Sequence, residues 1–161
     1  MIFGIIGAIL LIGVFIFLKR KPKKVKIKYV LMLNKDLTAD EKEFGIILNT
    51  YRSSLGKSVL KCDLTVSNVI TDHIDWMLAG GISHIGDKTH ADRLEYLMSK
   101  GVKDVGEILG RKYRMPQTAF NAFLNSATHR RVIEGSYDAF GISIKEDIQG
   151  VKYYGVIFIK I

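Results

Sequence analysis

The sequence has almost no cysteine. A single thiol, Cys62, occurs in 161 residues, so no intramolecular disulfide can form and a disulfide-stapled secreted module is excluded. Cys62 stands beside Asp63, just ahead of a predicted helix. It reads as a small buried side chain, since no neighbouring motif supports a nucleophile. Internal repeats and low-complexity tracts are also missing. Residues 1–18 lack charged and polar side chains altogether, and the run 19–28 holds seven basic residues with no acid. Elsewhere the charges nearly cancel: 17 Lys and Arg against 16 Asp and Glu leave +1 of the formal +8. The folded part is thus close to neutral. That argues against nucleic-acid binding, which needs positive charge clustered on the folded surface.

As a helix, residues 1–18 would rise about 27 Å, near the hydrocarbon thickness of a bilayer. A cleavable signal peptide needs its positive charge before the apolar stretch and small residues after it. Here Lys19-Arg20-Lys21 follow instead. A lipoprotein signal would end in cysteine, and a buried core helix would show a polar face. The expectation is an uncleaved transmembrane anchor over 1–18. A basic juxtamembrane segment and linker follow over 19–37, where anionic lipid headgroups would lie. One soluble domain then occupies 38–161, enough chain for one core and too little for two. The Lys and Arg flank places that domain on the cytoplasmic side of a single-pass membrane protein.

Four helices read from periodicity and caps. The first opens with the capping box Thr38-Ala39-Asp40-Glu41 and carries Phe44, Ile47, Leu48 and Tyr51 to a stop near Gly56. The second follows Asp63, with Val66, Ile70, His73, Ile74 and Met77 on one face and Gly80-Gly81 at its end. The third follows Thr89, with Ala91, Leu94, Leu97 and Met98, and ends at Gly101. The fourth starts at Pro116 and carries Phe120, Phe123 and Leu124. Residues 102–109 predict a short strand. Phe140, Ile142 and Ile144 alternate with polar or small residues, and 151–161 alternates after a turn, which predicts a closing hairpin. Residues 25–33 fit either an edge strand or a continuation of the anchor. Helices on a small antiparallel sheet give an α+β domain. His73, on an apolar stripe, reads as a core histidine with one satisfied hydrogen bond, and His90 as solvated. Tyr153, Tyr154 and Phe158 read as sheet-face residues.

Six segments, in order, resemble a known family. They are LNTYRSSLG (48–56), DHIDWMLAGGISH (72–84), DRLEYLMSKGV (92–102), GEI (106–108), LNSATHRRVIEG (124–135), and FGISI (140–144) with YYGVIF (153–158). Together they resemble bacterial-type CAP domains (cysteine-rich secretory protein, antigen 5, pathogenesis-related). The resemblance implies a three-layer α-β-α sandwich around a small central antiparallel sheet. It also implies an extracytoplasmic domain, in conflict with the charge rule, and a cleft lined by His84, Glu107 and His129, with Ser126 as a weaker addition. The chain departs from the family pattern in places. Ile108 follows the Glu where Asn is usual, Phe123 stands where Trp is common, and Ala127-Thr128 replaces Pro-Gly. The interval from His73 to His84 is about one residue short. The His-Tyr-Thr-Gln motif and second cleft Glu of the animal and plant branches are absent.

His84, Glu107 and His129 lie 23 and 22 residues apart. That spacing is no metal motif by itself; only the fold can bring them together. Joined, they could ligate zinc with an open position or form an acid–base pair. Ser126 and His129, three residues apart, give a weak nucleophile–base pattern. One functional expectation is a membrane-anchored binding or interaction module that takes a small ligand, lipid or peptide, or a divalent metal such as zinc, in its cleft. A second is a hydrolase of peptidase type acting on envelope material, with His84, Glu107 and His129 catalytic. A third is a structural part of a larger assembly.

Overall fold

The computed structural model describes residues 36–80 and 93–161. The expected anchor over 1–18, the basic run 19–28, the segment 25–33, His84 and His90 lie outside these residues. Among the described residues, no helix is long and apolar enough to cross a membrane.

Helix α1 spans Ala39–Ser54 and begins with the expected capping box. Glu41 N donates to Thr38 Oγ1 at 3.3 Å, and Thr38 N donates to Glu41 Oε2 at 2.8 Å. Helix α2 spans Leu64–Gly80. Asp63 Oδ1 starts it by accepting from Thr65 N and Val66 N at 2.9 and 3.1 Å. Helix α3 spans Arg93–Ser99 and is followed by Gly101 at φ 91°. Helix α4 spans Pro116–Asn125, with proline in its first turn. The backbone breaks at Ser126, and a separate seven-residue helix, α5, follows over Ala127–Ile133. Periodicity alone does not separate α5 from α4.

Four strands form one sheet in the order β1-β3-β4-β2. Strand β1 is Lys61–Cys62, β2 is Asp104–Arg111, β3 is Ala139–Glu146 and β4 is Lys152–Lys160. The closing hairpin is antiparallel as expected, and β2 adds to β4 antiparallel, starting and ending two residues later than predicted. The expectation of an all-antiparallel sheet is corrected by β1, which pairs parallel to β3. Two residues carry no periodicity. What sets β1 is a side chain: Asn49 Nδ2 donates to Leu60 O at 2.9 Å and Leu60 N donates to Asn49 Oδ1 at 2.8 Å. That pair aims the chain at the sheet.

Helices cover both faces. On one, α1, α4 and α5 bury Phe44, Leu48, Phe120, Phe123 and Ile133 against Ile108, Phe140 and Phe158. On the other, α2 and α3 bury Ile70, Ile74, Met77 and Leu97 against Leu109, Ile157 and Ile159. The domain is an α+β sandwich of three layers. Helix α2 lies close to the sheet because Gly141 has no side chain; a Cβ there would collide with the backbone of Val66 and Ser67. Beyond β1, the open edge of β3 is closed by side chains. Ile142 N donates to Ser67 Oγ at 3.1 Å and Ile144 N to Glu41 Oε1 at 3.0 Å.

Candidate functional site

Glu107 lies on β2 opposite Ile157, so it projects from the face covered by α2 and α3. Its neighbours Gly106 and Ile108 face the other way. A Cβ on Gly106 would stand 2.8 Å from Val132 Cγ1 of α5, and Ile108 packs in the α1, α4 and α5 layer. Glu107 meets Arg93, the first residue of α3. Arg93 Nε donates to Glu107 Oε1 at 2.7 Å and Nη2 to Oε2 at 2.6 Å. The side chains are 5 % and 4 % exposed, so this is a buried, bidentate, charge-assisted pair. Such a pair holds each charge in place only while both remain.

His129 lies on α5, half-buried, with its ring edge-on to Phe123 at 5.1 Å and 82°. Phe123 belongs to the layer opposite Glu107. Glu107 thus belongs to the face of α2 and α3, and the Phe123 ring that His129 meets belongs to the other. Ser126 marks the break between α4 and α5. Its carbonyl accepts from Arg130 N at 2.8 Å, and its hydroxyl makes no capping bond. His84 lies outside the described residues. Among the described residues, no group of three or more His, Cys, Asp or Glu side chains could hold a metal ion. Of the ligands expected for a metal, Glu107 and His129 are described, and Glu107 is joined to Arg93.

Other motif residues turn out to build the fold. Arg52 is 2 % exposed. Its Nη1 donates to Ile133 O at 2.6 Å and Gly135 O at 2.9 Å, and its Nε to Ser58 O at 3.0 Å. It caps the carbonyl end of α5, where a cation meets the helix dipole favourably. His73 is fully buried on α2 and stacks on Trp76 at 5.5 Å and 13°, the core placement expected of it. Cys62 is half-buried, and burial pushes its thiol up to about 11, with the charges of Asp63 and Glu41 adding to the rise. It is a protonated side chain at neutral pH, not a nucleophile. Sequence reasoning misses Arg93 as a site residue. The signal is nonetheless in plain view, because it and Glu107 occupy two of the quoted motifs.

Clefts open among the described residues. One of about 280 Å³ lies between Thr38–Asp40 and the Ile144, Glu146 and Lys152 side of the hairpin. Another of about 330 Å³ is lined by Glu41, Leu64, Ser67, Asn68, Thr71 and Ile142. Neither is lined by Glu107 or His129.

The family model of the cysteine-rich secretory protein family, CAP, matches residues 47–158. Among curated proteins, none matches the chain. Solved structures share the fold. An outer surface protein from Borrelia burgdorferi is 22% identical with a TM-score of 0.65, over 75% of this chain and 92% of that one. An extracellular protein containing a SCP domain from Bacillus anthracis is 23% identical with a TM-score of 0.65, over 78% of this chain and 44% of that one. A cysteine-rich secretory protein from Staphylococcus aureus is 20% identical with a TM-score of 0.61, over 74% of this chain and 37% of that one. The chain thus spans less than half of the latter two. The family match covers well over half of the sequence and contains every motif residue placed above, and on that ground the chain belongs to the cysteine-rich secretory protein (CAP) family.

Proposed function

We propose that this CAP protein is a membrane-tethered binding module rather than an enzyme. The observation that carries the reading is the Arg93–Glu107 pair. A general base needs a lone pair that can reach a substrate proton, and a zinc ligand needs an oxygen free to coordinate. Both Glu107 oxygens accept from Arg93 at 2.6–2.7 Å inside the protein. A guanidinium charge already held against the carboxylate repels a second cation there and competes with a substrate proton for its oxygens. The apolar run 1–18 and the basic run 19–28 support attachment to an anionic bilayer. The ligand class that fits a nearly neutral domain whose clefts mix polar and apolar side chains is a small ligand, lipid or peptide.

The test is calorimetric titration of the full chain in nanodiscs with zinc, a sterol and cell-wall fragments, run beside a peptide and ester hydrolysis screen. The expected result is heat for one organic ligand class with no turnover. Hydrolysis that disappears in both Glu107→Ala and His84→Ala would replace this reading with the hydrolase. No heat for any of the three would leave the structural role in an assembly.

A further inference from the structure

One end of the sheet gathers features that neither the core nor the Glu107 face uses. Strands β2 and β3 finish there and β4 begins there, with Arg111 opposite Tyr153 and Glu146 opposite Lys152. The turn after β2 is fastened to this end. Lys112 N donates to Lys152 O at 3.0 Å, and the Tyr154 hydroxyl donates to Tyr113 O at 3.1 Å. Helix α1 starts at the same end. Thr38, Ala39 and Asp40 line one cleft with Ile144 and Lys152, and Lys152 Nζ pairs with Asp40. The described chain therefore enters the domain beside both the hairpin tip and the β2–α4 turn.

This end carries two apolar side chains in solvent: Ile148 at the hairpin tip, wholly exposed, and Met115 ahead of α4, 57% exposed. Single exposed apolar residues are ordinary; their surroundings here are not. Arg111, Lys112 and Arg114 beside them make no ion pair with any described acid. Of the acids at this end, Asp40 is taken by Lys152, and Asp147 accepts from Gln149 N and Val151 N in the turn. Glu43 and Glu146 remain exposed. The charge is also segregated along the sequence. Residues 108–133 hold five Lys and Arg and no acid, so of the 17 bases and 16 acids outside 19–28, the remainder is 12 against 16. That is +5 in one stretch and −4 in the rest.

The sequence leading into this end is apolar over 1–18 and basic over 19–28. Residues 19–35 can span at most about 60 Å, so a tethered domain stays at high local concentration beside the surface. Under those conditions even a shallow contact is populated.

We infer that this end of the domain is a membrane-facing rim: Ile148 and Met115 enter the headgroup layer of an anionic bilayer, and Arg111, Lys112 and Arg114 lie against lipid phosphates. The inference rests on the tethered reading above and adds an orientation to it. The Arg93–Glu107 face is then carried at the side of the domain, clear of the lipid.

The test uses the full chain in vesicles of phosphatidylglycerol and phosphatidylcholine containing headgroup-proximal spin-labelled lipid. A polarity-sensitive fluorophore is attached at Ile148→Cys, or at Ile161→Cys at the opposite end, each in a chain that also carries Cys62→Ala so that only the introduced thiol is labelled. The expected result is several-fold stronger quenching at 148 than at 161, reduced when Arg111, Lys112 and Arg114 are all replaced by Gln. Ile148→Trp with brominated lipid should report the same contact without a label. Equal quenching at both ends, in chain that floats with the vesicles, overturns the rim and leaves the tether intact. Chain that does not float overturns both.

Discussion

At the scale of single residues, the Arg93–Glu107 pair makes the sharpest demand. Glu107→Gln removes the carboxylate charge that a buried guanidinium faces and should destabilise the domain by about 3–5 kcal/mol in a denaturant titration. Replacing both partners with apolar residues, Arg93→Met with Glu107→Leu, should recover most of that loss. If the single change were silent, the pair would not be buried as described. Arg52 is a second case. Arg52→Lys keeps the charge but loses the fork that reaches Ile133 O and Gly135 O. A cost of about 2 kcal/mol is expected from the carbonyls left unpaired, read as faster amide exchange in α5. A third concerns pH. Burial raises the Cys62 thiol to about 11 and the Tyr154 hydroxyl to about 12. Both groups bind their proton more tightly folded than unfolded, so their contribution is whole below about pH 9, the ordinary thiol value, and is lost as pH rises through 11–12. Thermal melts should be flat to about pH 9 and fall beyond it, and Tyr154→Phe should blunt the upper part of that fall.

At the scale of elements, Gly141 decides how α2 docks. Gly141→Ala would drive a methyl group into the Val66–Ser67 backbone, which cannot yield as a flexible side chain can. A loss of about 3 kcal/mol or more is expected in denaturant unfolding; an unchanged midpoint would mean that the helix stands off the sheet. The elements also show what a sequence can reveal. The starts of α1, α2 and α4 are readable because Thr38, Asp63 and Pro116 act within one turn of themselves. The β3–β4 hairpin is readable because alternation and a turn are local too. The parallel strand β1 is not, since its two residues are placed by Asn49, eleven positions from its partner Leu60. The break at Ser126 that makes α5 a separate helix carries no glycine or proline to announce it. For the site, the motif order points to Glu107 but not to its partner. Arg93 reaches it only after α3 packs on the sheet, and no spacing rule links positions 93 and 107. Nor can spacing show which face of the sheet Glu107 takes, since that depends on whether an odd or even residue of β2 faces α5.

At the scale of the molecule, the sheet has two edges of different character. On the β3 side, Ser67 Oγ and Glu41 Oε1 occupy the amides of Ile142 and Ile144. Ser67→Ala with Glu41→Ala should release both donors and raise concentration-dependent self-association in sedimentation velocity, whereas either change alone should do so less. A monodisperse double variant would show that the seal is unnecessary. The seal has a consequence for how such molecules behave when crowded. Wherever copies are held at high density, a naked strand would invite each copy to template the next into a growing ribbon. Two side chains from different helices remove that invitation along the β3 edge.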